Sequence, residues 1–326
     1  MQAVWYERQG PADEVLEHGA MPTPDPAPGE VLVGLRASGI NPSDVKLRAG
    51  SRPMGFPRIV PHSDGAGEIV AVGEGVDLAR IGRRVWIWNG QWQRALGTAA
   101  DHIALPSAQA VDLPEPVSFA EGACLGIPAV TAVHAVFADG SVAGQRVLVT
   151  GGAGSVARYA IEMAASDGAE VIATISGPEK AAIAREAGAA HTLDRRDPDL
   201  AEQVLALTGG HGVERIVECE FGANVGVSEK VIAIGGVIAA YGSAQVPEPV
   251  MPFLRLMFRH TTLRMPLIYL LSETERAAVN ARLTGLLEAG VLSHRIAAEM
   301  PLASAAEAHR LIESGGRAGA VLLRMD

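Results

Sequence analysis

The chain is short of cysteine, of aromatic side chains and of long apolar runs. Only Cys124 and Cys219 occur in 326 residues. Two thiols so far apart make no disulfide framework and no cysteine-based zinc cluster. No uninterrupted apolar run reaches membrane-spanning length, so no membrane partner is expected. The opening segment MQAVWYERQG lacks the signal-peptide pattern, and a reducing cytoplasm is the expected compartment. Low-complexity tracts and internal repeats are missing as well. The formal charge of −10 argues against a general phosphate-binding surface. No basic, aromatic-interleaved strip occurs either, so no nucleic-acid partner is expected. An acidic chain can still hold a phosphorylated cofactor through a few local cations.

What remains is a soluble globular pattern long enough for two domains. The first third reads as strands. EVLVGLRAS (30–38) alternates, with Val31, Val33, Leu35 and Ala37 on one face. GEIVAVGEGV (67–76) and RVWIW (84–88) are β-rich and bounded by glycines. Pro/Gly loops such as 22–30 and 48–61 separate them, so a compact β-rich domain is expected.

Near residue 118 the pattern changes to helices alternating with short Val/Ile runs. QRVLVTG (145–151), AEVIATIS (169–176), VERIVEC (213–219) and GGVIAAYGS (235–243) read as strands. Val156, Tyr159, Ala160, Met163 and Ala164 recur at helical spacing, and PEKAAIAREAG (178–188) is a second helix. Strand–helix–strand repetition predicts a doubly wound parallel sheet. Farther on, Ser272 with Glu275 and Ser304 with Glu307 form two capping-box patterns. Each precedes a helix that a glycine ends, and AGAVLLRM (318–325) is a final strand.

The stretch VTGGAGSVA (149–157) falls between a buried strand and a helix. Gly152-Ala153-Gly154-Ser155-Val156-Ala157 fits G-x-G-x-x-A, with Ala157 as the small residue for helix–strand packing. Such a turn brings a pyrophosphate to a helix N-terminus, where free N–H groups and the dipole favour an anion. The bland alternative is a tight structural corner. The next strand selects the dinucleotide. An NAD site ends it with a carboxylate for the ribose 2′-OH. Here it ends ATIS, with Thr174 and Ser176, while Lys180 follows and Arg195 lies after the next short strand. Each cation alone reads as a solvated surface charge. Taken with the missing acid, they predict NADPH.

At this point the chain resembles the zinc-independent medium-chain dehydrogenases/reductases, in their NADPH:quinone oxidoreductase, zeta-crystallin-like branch. SGINPSDVKLRAG (38–50), PHSDGAGEIVAVGEGV (61–76), LGIPAVTAVHAV (125–136), VLVTGGAGSVA (147–157) and GGVIAAYGS (235–243) carry the likeness, in family order. It implies an α/β fold with a GroES-like catalytic domain (1–122), a Rossmann domain (123–264) and a C-terminal segment (265–326) returning to the first. It places Ala153, Gly154, Ser155 and Val156 at the pyrophosphate and Ser176, Lys180 and Arg195 at the 2′-phosphate. Asn224, Tyr241, Gly242, Ser243, Pro266, Leu267 and Ile268 would line the rest of the dinucleotide. Asn41 and Thr131 would lie near the nicotinamide. Zinc-dependent relatives carry ligands where this chain has Asn41, Ser63 and Ile127, so no metal is expected.

Without a Lewis acid the acceptor must already be electrophilic, which points to a quinone or an enone. Asp44 would orient the Asn41 loop. Lys46, standing where the branch often has tyrosine, is a candidate proton donor or oxyanion partner, with a solvated lysine the plainer reading. Trp86 and Trp88 read as cover for one face of the β domain, while Trp92 in its loop is open to a substrate role. His62 replaces the usual glycine and is read as narrowing or polarising the substrate site. The alternatives are an enoyl or 2-alkenal reductase, or a non-catalytic NADPH-binding protein. A homodimer is expected, with GGVIAAYG as the sheet edge that pairs.

Overall fold

The computed structural model describes residues 1–315 and 318–325. The chain forms two compact units. One comprises Met1–Ile127 with His294–Asp326, and the other Pro128–Ser293. The second unit thus begins after the LGI of LGIPAV, and its span extends past residue 264. Residues 265–293 stay with it because Val279, Leu283 and Leu287 of helix Glu273–Glu288 are buried there. The return to the first unit begins at His294.

The first unit is built on a mostly antiparallel sheet around strand Glu30–Ile40. That strand pairs with Asp64–Val72, with His102–Pro106 and with the late strand Ala320–Arg324. Alternation sets its faces, and Val31, Val33, Leu35 and Ala37 are all buried, as their period-two spacing predicts. Burying each of these valine and leucine side chains stabilises by about 1.5–3 kcal/mol. The segment after Asn41, given no element from the sequence, is a helix, Pro42–Ala49, with proline in its first turn and Gly50 in the left-handed region at φ 105°. Helix Ala305–Glu313 packs beside it. Ser304 does not cap that helix through its side chain. It closes the short 3₁₀ turn Leu302–Ser304, so its backbone lacks the extended conformation a cap uses.

The second unit is a six-stranded parallel sheet among the described residues. Its order is His191–Asp194, Glu170–Ile175, Arg146–Val149, Val213–Glu218, Ile232–Ala240 and Thr262–Arg264. Numbered along the unit this is 3-2-1-4-5-6, the order whose reversal beside the first strand opens a dinucleotide crevice. The strand expected at the sheet edge, 232–240, is interior, flanked on both sides; the edge is Thr262–Arg264. Sequence reading missed that short strand because three residues carry no periodicity. Ser272 and Glu275 do form the expected reciprocal cap. Among the described residues no helix is long and apolar enough to cross a membrane.

Candidate functional site

In the second unit, strand Arg146–Val149 runs into a turn at Thr150–Gly154, and helix Ser155–Ser166 follows. Gly151 sits at φ 67°, and a Cβ there would lie 2.9 Å from Cys219 Sγ. A Cβ at Gly152 would lie 2.9 Å from that of Ala173. Gly151 therefore answers a backbone need and Gly152 a packing need. Gly154 is the N-cap and offers no side-chain acceptor to the first helical N–H groups. Ala153, Ser155 and Val156 are half-buried, Gly154 is exposed, and Ala157 is buried. Anion-seeking amides on an accessible turn are what a pyrophosphate requires.

The turn is tied to both neighbouring strands. Gly152 N donates to Thr174 O at 2.8 Å, and Gly151 N to Thr174 Oγ1 at 3.2 Å. Thr174, expected as a cofactor-site residue at this strand end, is buried and holds the glycine turn in place. Ser176 is half-buried just beyond that strand, and Lys180 Nζ donates to its Oγ at 3.1 Å. Arg195 N donates to Ile175 O at 2.8 Å, which sets Arg195 beside the same strand end with its side chain exposed. Its neighbour Arg196 is paired with Asp194 at 2.7 Å. Ser176, Lys180 and Arg195 therefore gather at adjoining strand ends.

On the other side of the turn is a group the sequence reading missed. Glu218 is fully buried at the end of its strand. Its Oε1 accepts from Thr150 Oγ1 at 2.9 Å, Glu220 N at 2.6 Å and Asn224 Nδ2 at 2.8 Å. Burial pushes its carboxyl upward against those donors. Asn224 is thereby engaged with Glu218. Tyr241 N donates to Glu218 O at 2.9 Å. Ser243 Oγ accepts from Gly222 N at 2.9 Å and donates to Val246 O at 2.6 Å, so it staples a loop. A Cβ at Gly242 would collide with Cys219 O. Pro266 is half-buried, Leu267 exposed and Ile268 buried, just past the edge strand. Thr131 is buried in helix Val130–Phe137.

In the first unit the polar centre is Asp64. Its Oδ2 accepts from Asn41 Nδ2 at 2.8 Å and from Ile127 N at 2.9 Å. Asn41 N donates to Asp44 Oδ2 at 2.7 Å, so Asp44 does brace the Asn41 turn. Burial raises Asp44 to about 7 and pushes Asp64 well above the usual carboxylate range. Lys46 is exposed on the same helix. His62 is fully buried at φ 77°. Its Nδ1 lies 2.9 Å from Ser38 Oγ, and its Nε2 lies 2.8 Å from His309 Nε2. That replaces the expectation of a substrate-facing His62: the ring is spent inside the core. Trp86 is fully buried and covers the sheet as expected. Trp92 is half-buried under the Arg52 guanidinium, 5.1 Å from its ring centre.

The positions where zinc relatives carry ligands do not suit that ion. Asn41 spends its amide on Asp64, Ser63 is a buried serine and Ile127 offers only a backbone N–H. The set contains no thiolate or imidazole. The glycine turn and the strand-end cations do suit a phosphorylated dinucleotide.

Comparison with known proteins agrees with this geometry. Residues 27–115 match the family described as alcohol dehydrogenase GroES-like domain, and residues 155–283 the one described as zinc-binding dehydrogenase. A rat quinone oxidoreductase is 30% identical over 331 residues, covering 98% of this chain and 95% of its own. A mycobacterial protein solved as a complex with NADPH is 28% identical, with TM-score 0.88 and full coverage of both chains. A 2-haloacrylate reductase is 26% identical, with TM-score 0.87 and full coverage of both.

Proposed function

The chain belongs to the quinone oxidoreductase family of medium-chain dehydrogenases/reductases and is an oxidoreductase; from that premise we propose that it reduces quinones and similar conjugated carbonyl compounds with NADPH. The observation that carries the cofactor choice is the gathering of Ser176, Lys180 and Arg195 beside the end of strand Glu170–Ile175, which has no carboxylate for a ribose 2′-OH, while Asp194 of the neighbouring strand is paired with Arg196. NADPH, when bound, supplies the hydride. The turn from Ala153 to Val156 receives its pyrophosphate, Gly154 by close approach of its backbone because its N–H is bonded to Gly151 O, and Lys180 and Arg195 neutralise the 2′-phosphate. Asn224, Tyr241, Gly242, Ser243, Pro266, Leu267 and Ile268 line the remainder, the first of them steadied by Glu218.

On the catalytic side we assign Asn41 to orienting the reacting groups, braced by Asp44 and Asp64. The donor set around Asn41 does not fit zinc, so the acceptor brings its own electrophilicity. A quinone or an enone does this by spreading incoming charge over its conjugated system. The likeness to a 2-haloacrylate reductase favours a second reading, reduction of a C=C bond next to a carbonyl. A panel of p-quinones, an ortho-quinone and a 2-alkenal, followed by NADPH absorbance with NADH in parallel, separates the two. Quinone-dependent loss of NADPH supports the first reading, enone-only turnover the second. Tight NADPH binding without turnover on any acceptor leaves a binding role.

We also propose a homodimer. Ile234, Phe253, Leu254 and Phe258 are exposed around the edge strand Thr262–Arg264. Gly235 N, in strand Ile232–Ala240, donates to Arg259 O at 2.8 Å, which ties that strand to the end of helix Phe253–Phe258. An apolar rim beside an open sheet edge invites a second copy. A monomeric mass at micromolar concentration would reject this.

A further inference from the structure

A chain of buried hydrogen bonds runs away from Asp64 through the first unit. Thr98 Oγ1 donates to the Asp64 carbonyl oxygen at 2.6 Å. Ser38 Oγ lies 2.8 Å from Thr98 Oγ1 and 2.9 Å from His62 Nδ1. His62 Nε2 lies 2.8 Å from His309 Nε2. Ser38, His62, Thr98 and His309 are each fully buried.

The end of the chain fixes its direction. A carbonyl oxygen only accepts, so the single Thr98 hydroxyl proton goes to Asp64. Ser38 must then donate to Thr98, which spends the Ser38 proton. His62 must in turn donate from Nδ1 to Ser38. A neutral His62 is left with a bare Nε2, and His309 supplies the proton between the two rings from its own Nε2. Both rings are neutral, since burial lowers His62 and holds His309 down at about 3, with the rings themselves and Arg48 opposing any added charge. His309 Nδ1 is then bare, buried and without a hydrogen-bond partner, in the field of the Arg48 guanidinium.

The same helix, Ala305–Glu313, grips a second lever. Arg48 is fully buried near the end of helix Pro42–Ala49, and it bonds Glu313 and the Gly10 carbonyl. Asn41 starts that helix. Asn41 is therefore held from two sides, by Asp64 through the histidine chain and by its own helix through Arg48. Both holds end on one helix.

We propose that His309 is a positioning residue for the reaction: through the one-way chain His309–His62–Ser38–Thr98 it fixes the Asp64 peptide, and thereby the orientation of the Asn41 amide. The catalytic part rests on the role given to Asn41 above. The tautomers and the hold on Asn41 do not.

The test uses the full-length protein with ¹⁵N-labelled histidine and asparagine. In the wild type, imidazole ¹⁵N spectra should show His62 protonated at Nδ1 and His309 at Nε2, with His62→Gln and His309→Gln providing the assignments. Reversed or exchange-averaged tautomers would overturn the chain. In His309→Leu the Asn41 side-chain amide protons should exchange with solvent at least about tenfold faster, and kcat with the best acceptor should fall by about tenfold to a hundredfold. KM for NADPH should stay within about twofold, because the cofactor residues belong to the other unit. His309→Gln keeps an N–H donor and should restore most of both losses. Unchanged Asn41 exchange in a folded His309→Leu protein would overturn the positioning role, whatever the turnover. A wild type that reduces no acceptor, with tautomers and exchange as described, would instead count against the proposed reaction alone.

Discussion

The glycine turn of the second unit and the Asp64 centre of the first treat polarity in opposite ways. The turn keeps side chains out and presents little but backbone on an accessible loop. The centre buries side chains and makes them satisfy one another: Asn41 on Asp64, Asp44 on the Asn41 backbone, His62 on Ser38 and His309. One is prepared for a charged visitor; the other is closed on itself. The difference teaches where tolerance to change should lie. A turn built from backbone depends on conformation and clearance, whereas a buried network depends on each partner being present.

Removing the strand-end cations should have the largest effect. Two charge-assisted contacts, each worth about 1.5–3 kcal/mol, imply at least about 100-fold weaker NADPH binding in Lys180→Ala with Arg195→Ala. NADH should change little, as fluorescence titration of both nucleotides would show. Equal weakening of the two would mean the cations do not read the 2′-phosphate.

The first unit should answer to pH instead. Asp44 stands at about 7 against an ordinary 3.8, chiefly through burial. A carboxyl raised in the folded state stabilises fully below its unfolded value, and that contribution is lost as pH rises through the folded one. Wild type should therefore lose up to about 4 kcal/mol relative to Asp44→Asn between pH 4 and pH 8 in urea unfolding. A constant gap between the two proteins would show that Asp44 is ionised in the fold.

Clearance comes next. Gly151→Val meets both a positive φ and the Cys219 sulfur, and strain of about 1–3 kcal/mol should weaken NADPH and NADH alike by roughly tenfold to a hundredfold. Thr174→Val should do least. It removes an acceptor for Gly151 N, worth about 1 kcal/mol, and should weaken both nucleotides equally and by less than tenfold. A selective loss of NADPH would show that Thr174 acts on the 2′-phosphate instead.

The same contrast explains what could be read from the sequence. The turn was legible because strand, glycines and helix are consecutive, each within a few residues of the next. The doubly wound parallel sheet followed from strand–helix alternation, but its order did not. The Asp64 centre was only half legible. Asn41 and Asp44 sit in one motif, but His62 and His309 are joined across the whole inserted second unit. No local pattern distinguishes a histidine that bonds another histidine from one that faces solvent. Glu218 escaped for a related reason, since its partners Thr150 and Asn224 lie on different elements. Helix Pro42–Ala49 was hidden by its Asn-Pro start and by a mixed apolar pattern too short to show a period. The edge strand was misplaced because apolar composition marks a strand but does not say what flanks it.

The first unit is discontinuous, and this has a consequence for its birth on the ribosome. Strand Ala320–Arg324 lies between Ile296–Pro301 and Glu30–Ile40, so the sheet cannot close until the strand has emerged. At ordinary elongation rates the early strands wait on the order of tens of seconds for it. During that interval the edge of Glu30–Ile40 later covered by Ala320–Arg324 stands open, while every strand of the sheet in Pro128–Ser293 has already been made. Chains released before residue 320 should therefore carry a complete second sheet beside a first sheet that lacks a strand, and the open edge of the first is what chaperones would meet.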